Sequence, residues 1–261
     1  MKQYIFLVEG SHDLAVIGKI LLSIGYKELK NIEEISENFR ELLPKKFPFK
    51  GEGNLDIFNI IPSFFRNKKE NKEIVIIVSR GETNHFEKLD RALDSFERKD
   101  IQQLQKIIVF SDSDTLEIDK KIEEILRNNF TEKEEFENFN KKDIENRKIN
   151  LIIKEVDVEF YIFPNNEEIG RLENLIFEGI KKYDGQLLEE TENFINSVDS
   201  KYKSKWSIEN SQRDKTIIGV VGNILSPCNS APVFLRNSKW FSKDSRDEKY
   251  IKKLYDYLSN I

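Results

Sequence analysis

Short unbroken apolar runs alternate along this chain with stretches in which apolar residues recur every three or four positions. Residues 4–8 (YIFLV) form the first run, the pattern of a strand buried on both faces of a parallel sheet. The run stops at Glu9-Gly10, and Leu14, Ile17, Leu21 and Ile24 then mark one face of a helix that Gly25 ends. The unit repeats. Residues 74–78 predict a second strand, SRGETN a turn, and Phe86, Leu89, Leu93 and Phe96 a helix face. Residues 107–110 predict a third strand, SDSD a turn, and Ile118, Ile122 and Ile125 a further helix face. Apolar stretches at 151–156 and 158–163 end in PNN, before a helix with Leu172, Leu175, Ile176 and Ile180 inward.

Other segments read less simply. A helix is expected over residues 35–43, then a loop (PKKFPFKGEG), then LDIFNIIPSFF as either strand or helix. Residues 131–148 are dominated by Glu, Lys and Asn and read as a solvated helix or loop. Ile251, Leu254, Tyr255 and Leu258 predict a closing amphipathic helix. Strands alternating with helices predict an α/β fold, a Rossmann-like sheet, mostly parallel, with helices on both faces. No internal repeat of fixed period is present.

Composition narrows the class. At 261 residues, 38% hydrophobic and 34% charged, the chain can bury a real core and is not disordered in character. One cysteine, Cys228, excludes an internal disulfide or a Cys-based zinc cage and fits a reducing cytoplasm. MKQYIFLVEG is too short an apolar stretch for a signal peptide, and no run approaches a bilayer span. A cytoplasmic protein without membrane contact is expected. A net charge of −5 argues against bulk coating of nucleic acid. Yet residues 200–253 hold twelve Lys/Arg against five Asp/Glu, so an acidic body meets a basic C-terminal segment.

The chemistry should sit at the carboxyl ends of the parallel strands, where open α/β sheets bind ligands. Three strand ends are unusual: Glu9-Gly10, Ser79-Arg80-Gly81 and Asp112-Ser113-Asp114. An Asp-x-Asp after a strand is by itself more often a turn and helix cap. Acids at two strand ends, each followed by an amphipathic helix, instead suit Mg²⁺, a hard ion that prefers oxygen ligands. Asp13 lies in a first helical turn, where a carboxylate favours the helix dipole. His12 and His85 read as capping or structural, and Cys228 as inert. Arg80, Gly81 and Gly10 are the expected phosphate contacts. GVVGN at 219–223 lacks the strand context of a dinucleotide fingerprint. Tyr202, Trp206, Phe234, Trp240 and Phe241 either stack bases beside the basic excess or pack the end of the sheet.

On these residues the sequence resembles the Toprim domain of topoisomerases, primases and OLD-type nucleases. That family shows a strand-end Glu-Gly, a middle strand ending near glycine, and a later Asp-x-Asp. Here these are Glu9-Gly10 with Asp13 (EGxxD), Gly81, and Asp112-x-Asp114, in that order. The resemblance covers about residues 1–180, with residues 34–72 as an insertion. It implies a catalytic domain over 1–183 and a basic, aromatic-containing C-terminal extension over 184–261 packed on it. FPNNEEIGRLENLI is similar to a strand end and helix start found in small stand-alone Toprim proteins.

The resemblance implies Glu173 as a further acid, and Lys215 in RDKTIIG as the family's C-terminal lysine, with Lys205 and Arg213 as neighbours. The implied activity is Mg²⁺- or Mn²⁺-dependent cleavage of DNA or RNA, with a role in defence against foreign genetic elements by analogy. Asp112 and Asp114 would hold one metal, Glu9 would complete that site or move a proton, and Glu173 could hold a second. Lys215 would offset charge on the phosphate. The long ATPase domain usual in OLD proteins does not occur in this sequence; a homodimer and a partner ATPase are the associations in view. The rival readings are a non-cleaving module that binds nucleic acid or a partner, and a small-molecule phosphohydrolase.

Overall fold

The computed structural model describes residues 1–43, 49–50, 54–55, 62–131, 135–151, 153–203 and 211–261, with backbone alone at 49–50, 54–55 and 211. Much of the loop expected over 44–53, the centre of the ambiguous run after it, Lys205 and Trp206 lie outside these residues.

The apolar run after the N-terminus forms β1 (Lys2–Val8), and the amphipathic stretch after Gly10 forms α1 (Ser11–Ser23). A short strand β2 (Lys27–Leu29) follows, and the expected helix at 35–43 contracts to one turn at Glu37–Arg40. The Phe-Phe end of the ambiguous run is a strand, β3 (Ser63–Asn67), leading into β4 (Lys72–Val78). Then come α2 (His85–Asp94), β5 (Leu104–Asp112) and α3 (Ile118–Asn129). The next pair is an antiparallel hairpin, β6 (Lys148–Leu151) and β7 (Lys154–Phe163). The C-terminal part is helical: α4 (Leu172–Ser197), α5 (Ser211–Leu225), α6 (Ala231–Asn237) and α7 (Lys249–Ser259). Helix α4 runs across residue 183, with non-helical backbone at Asp184. No helix among the described residues is long and apolar enough to cross a membrane.

Seven strands form one sheet in the order β2-β3-β4-β1-β5-β7-β6. The central pairings β4/β1, β1/β5 and β5/β7 are parallel, and the pairings β2/β3, β3/β4 and β6/β7 are antiparallel. The fold is therefore α/β with a mostly parallel sheet, as the alternating pattern predicts. Register aligns the strand ends: Val8 faces Val78 and Asp112 faces Phe163. Consequently the turns after β4, β1, β5 and β7 all open on one edge.

Side chains alternate across β1. Tyr4, Phe6 and Val8 join one buried layer with α1, α4 and the C-terminal helices, while Ile5 and Leu7 join the other with α2 and α3. Both faces are covered, which is why the central strands read as unbroken apolar runs.

Packing sharpens two of the sequence readings. Residues 135–148 are mostly exposed or half-exposed loop and short helix, as their charges predict, but Phe139 and Ile144 are buried, and Phe136 and Phe139 stack with Phe86 and Phe130. The Asp90 carboxylate ties the stretch down further by accepting the N–H groups of Glu137 and Asn138. In the C-terminal segment, Phe234, Trp240 and Phe241 are buried in the core, so packing, not base stacking, occupies them. Trp240 leans its backbone on Gly179, where an added Cβ would lie 2.9 Å from the Trp240 carbonyl oxygen. Tyr202 is exposed.

Candidate active site

At the carboxyl edge of the sheet, Glu9, Asp13, Asp112 and Glu173 line one cleft of about 250 Å³ with Gly10, His12, Arg80, Gly81 and Lys215. Five chain segments build it. β1 ends at Val8, and the Glu9 carbonyl accepts the N–H groups of Arg80 and Gly81 at 3.1 and 3.2 Å, tying the first turn to the second. Gly81 sits at φ 114°, a conformation that favours glycine. Arg80 and Asp114 also adopt the left-handed region, at φ 63° and 55°, so both turns hold strained backbone at the cleft.

Gly10 caps α1, and its N–H donates to Asp13 Oδ2 at 2.7 Å. Asp13 thus does serve the helix start, but it is also 9% exposed and faces the other acids. Burial pushes its carboxyl up to about 7, against the Gly10 N–H and with the charges of Glu9 and Glu173. Asp112, the last residue of β5, accepts the Leu172 N–H at 2.8 Å through Oδ1. Burial, then Asp13 and Glu173, raise its carboxyl well above the usual range. Glu9 is raised by burial and by Glu82, with Lys215 opposing.

Glu173 stands in the first turn of α4 and is 4% exposed. Its Oε1 lies 3.8 Å from Lys215 Nζ, while its Oε2 is buried without a hydrogen-bond partner among the described residues. Burial raises this carboxyl too, and Lys215 opposes the shift. Lys215 projects from α5 with 54% of its side chain exposed, so its charge is shared between Glu173 and solvent. His12 is half-buried on the same cleft; burial, then Lys215, lower its pKa.

The helix start that carries Glu173 is fixed by close backbone contact. Ser113 Oγ donates to the Gly170 carbonyl and accepts the Gly170 N–H, at 3.0 and 2.7 Å. A Cβ on Gly170 would come within 2.5 Å of Asn174 Oδ1 and 3.1 Å of the Pro164 ring, so glycine alone fits.

Asp114 is placed differently from the other predicted acids. It does not line the cleft: its Oδ1 accepts Arg171 Nε at 2.7 Å and its Oδ2 lies 3.3 Å from Lys121 Nζ. Lys121, 4% exposed, also pairs with Glu82 at 2.8 Å and Glu124 at 3.0 Å, and Glu82 accepts Ser111 Oγ at 2.8 Å. Glu82, Lys121 and Arg171 are site residues that the sequence reading did not name. Lys121 had a signal, since it falls on the apolar helical face with Ile118, Ile122 and Ile125.

Of the remaining candidates, His85 is buried, with Nδ1 2.7 Å from Ser79 Oγ and a pKa lowered by burial to about 3, so it is a neutral core group. Residues 219–223 lie inside α5, not in a strand-to-helix turn, and Cys228 is exposed.

Among the described residues, no three His, Cys, Asp or Glu side chains already stand in a metal-holding arrangement. One oxygen each of Asp13 and Asp112 is turned to a backbone N–H, and Asp114 to two cations. The donor chemistry still suits a hard cation. Four carboxylates share a recess with one half-exposed lysine, and Glu173 Oε2 has nothing to accept from.

The model for a protein of unknown function, DUF3226, matches residues 3–256. Among solved structures, the chain is similar to the hypothetical protein PH0156 from Pyrococcus horikoshii OT3. There the TM-score is 0.50 at 16% identity, covering 100% of this chain and 95% of that one, which speaks to the fold alone. The C-terminal region of the Burkholderia pseudomallei OLD protein aligns at TM-score 0.38 and 11% identity, over 98% of this chain and 97% of that one. The corresponding region of the Xanthomonas campestris pv. campestris OLD protein aligns at 0.38 and 8%, over 100% and 95%. At those scores neither carries an argument here. No curated protein matches.

Proposed function

The chain belongs to the DUF3226 family, and we propose that it is a metal-dependent phosphodiesterase that cleaves nucleic acid, with a Toprim-like site. The observation that carries this reading is the buried Glu173 carboxylate, one oxygen unpartnered, facing Asp112, Asp13 and Glu9 in one cleft. Each of these carboxyls is raised first by burial, and Asp13 and Asp112 also by the other acids of the cleft, so ionising them together costs stability. A divalent cation relieves that cost; a purely structural role would not need it. The EGxxD and Asp-x-Asp resemblance supports the same reading.

Glu9, Asp112 and Glu173 would hold the ion, with Asp114 available once it parts from Arg171 and Lys121. When bound, Mg²⁺ or Mn²⁺ would supply Lewis-acid activation and a water of lowered pKa. The chain's own residues do the rest. Lys215, at the cleft mouth, meets the phosphate and offsets its growing charge. Arg80 lines the same wall and suits the flanking phosphate oxygens. Where Glu9 does not complete that ligand set it would instead hold a proton at its carboxyl, half-buried with a raised pKa, and pass it on.

One observation favours a second reading. Asp114 is tied to two cations rather than offered to the cleft, as suits a module that binds without cutting. Incubating purified protein with plasmid DNA and with total RNA, in Mg²⁺, Mn²⁺ or EDTA, separates the two. Metal-dependent cleavage lost in Asp112→Asn supports the enzyme; retention of either nucleic acid without cleavage in any metal supports the binding module.

A further inference from the structure

A second recess lies at the opposite, amino edge of the sheet. The C-terminal end of α1 (Ser23 to Gly25), the β2 and β3 ends, the turn after β3, residues Lys243 and Arg246, and α7 surround a hollow of about 900 Å³. β1 separates it from the acid cleft by seven residues, about 23 Å of strand. Its charge runs against the composition. In a chain of net charge −5, the hollow gathers Lys27, Arg66, Lys68, Lys69, Lys243 and Arg246 against Glu34 and Glu70.

Three of these cations are committed. Lys27 pairs with Glu34 at 2.7 Å, Arg66 with the fully buried Glu73 at 2.9 Å, and Arg246 with Asp256 at 2.9 Å. Glu70 is engaged by Lys72 at 2.5 Å. Lys68, Lys69 and Lys243 make no ion pair among the described residues. Lys68 and Lys69 stand on a turn whose backbone is fixed by Asn67, 5% exposed, which accepts the N–H groups of Lys69 and Glu70 at 3.1 and 3.3 Å.

We propose that this hollow binds a small ligand bearing several phosphates, at a site separate from the acid cleft. Three unpaired ammonium groups from two chain segments are matched by a multidentate anion, which a single monoanion cannot satisfy. The volume suits a molecule of nucleotide size. The shared chemistry is the phosphate chain, free or carried on a nucleoside. The inference does not depend on the proposed nuclease activity.

Isothermal titration in EDTA with tripolyphosphate, with ATP and with a short single-stranded oligonucleotide tests it. The proteins compared are the wild type, the triple variant Lys68→Glu/Lys69→Glu/Lys243→Glu, and Lys215→Gln. The expected result is saturable one-site binding of tripolyphosphate, weakened at least about tenfold in the triple variant and unchanged in Lys215→Gln. Tighter binding of ATP than of tripolyphosphate would assign the nucleoside form, and the reverse the free phosphate chain. The proposal is overturned by absent binding of both, by equal binding to the triple variant, by loss in Lys215→Gln, or by the oligonucleotide alone binding there. All three substituted lysines are at the surface; should the triple variant nonetheless misfold, Lys69→Gln/Lys243→Gln is read by the same criteria.

Discussion

Replacing Asp13 by Asn should make the metal-free protein more stable, and more so at high pH than at low. In the folded chain the Asp13 carboxyl is raised from 3.8 to about 7. The unfolded chain has lost this proton by about pH 5, whereas the folded protein keeps it until near neutrality. Because the folded state binds the extra proton, stability falls as pH climbs from about 4 through about 7, and then levels. At ~1.4 kcal/mol per pKa unit, the full penalty above pH 7 is roughly 4 kcal/mol, of which about 3 accrues between pH 5 and pH 8. That is an upper bound, because Asp112, Glu9 and Glu173 share the proton balance. Asn keeps the oxygen that accepts the Gly10 N–H, so the cap survives. Urea unfolding in EDTA should therefore show Asp13→Asn more stable than wild type at pH 8, by about 1–3 kcal/mol more than at pH 5. An equal difference at both pH values, or a variant less stable at pH 8 than at pH 5 relative to wild type, would refute the reasoning.

Lys121→Met should cost roughly 3–5 kcal/mol, since it leaves Glu82, Asp114 and Glu124 around a buried site without their cation; thermal melts check it. Gly179→Ala, a change that usually favours a helix, should destabilise by about 1–3 kcal/mol because the new methyl meets the Trp240 backbone; denaturant midpoints decide. Glu173→Gln should leave the metal-free fold as stable as wild type or more so, while metal-dependent cleavage falls at least ~tenfold; full turnover at limiting Mg²⁺ would remove Glu173 from the site.

What the sequence made legible follows from which forces are local. The central strands declare themselves because burial on both faces leaves no polar position between Tyr4 and Val8 or between Ile74 and Val78. Glu9 and Asp112 could be picked out because each stands where an apolar run ends, whereas Glu173 came only from the family resemblance. The network behind them could not. Glu82, Lys121 and Asp114 meet only once β5 and α3 pack beside the turn after β4, and nothing in their spacing encodes that meeting. Within the charged stretch 135–148 the anchoring of Phe139 was not legible, because its partner Phe86 lies some fifty residues away in α2. Nothing local told the packing of Trp240 from the stacking alternative, because its burial depends on Gly179 admitting it against α4.

The central claim is that the carboxylates at this cleft are a cation site. Titrating Mn²⁺ into wild type and Asp112→Asn, with free ion followed by electron paramagnetic resonance, tests it without reference to any substrate. The account predicts saturable binding to the wild type and at least about tenfold weaker binding to the variant, whose fold is intact. Binding that is absent in the wild type, or the same in both proteins, would contradict it.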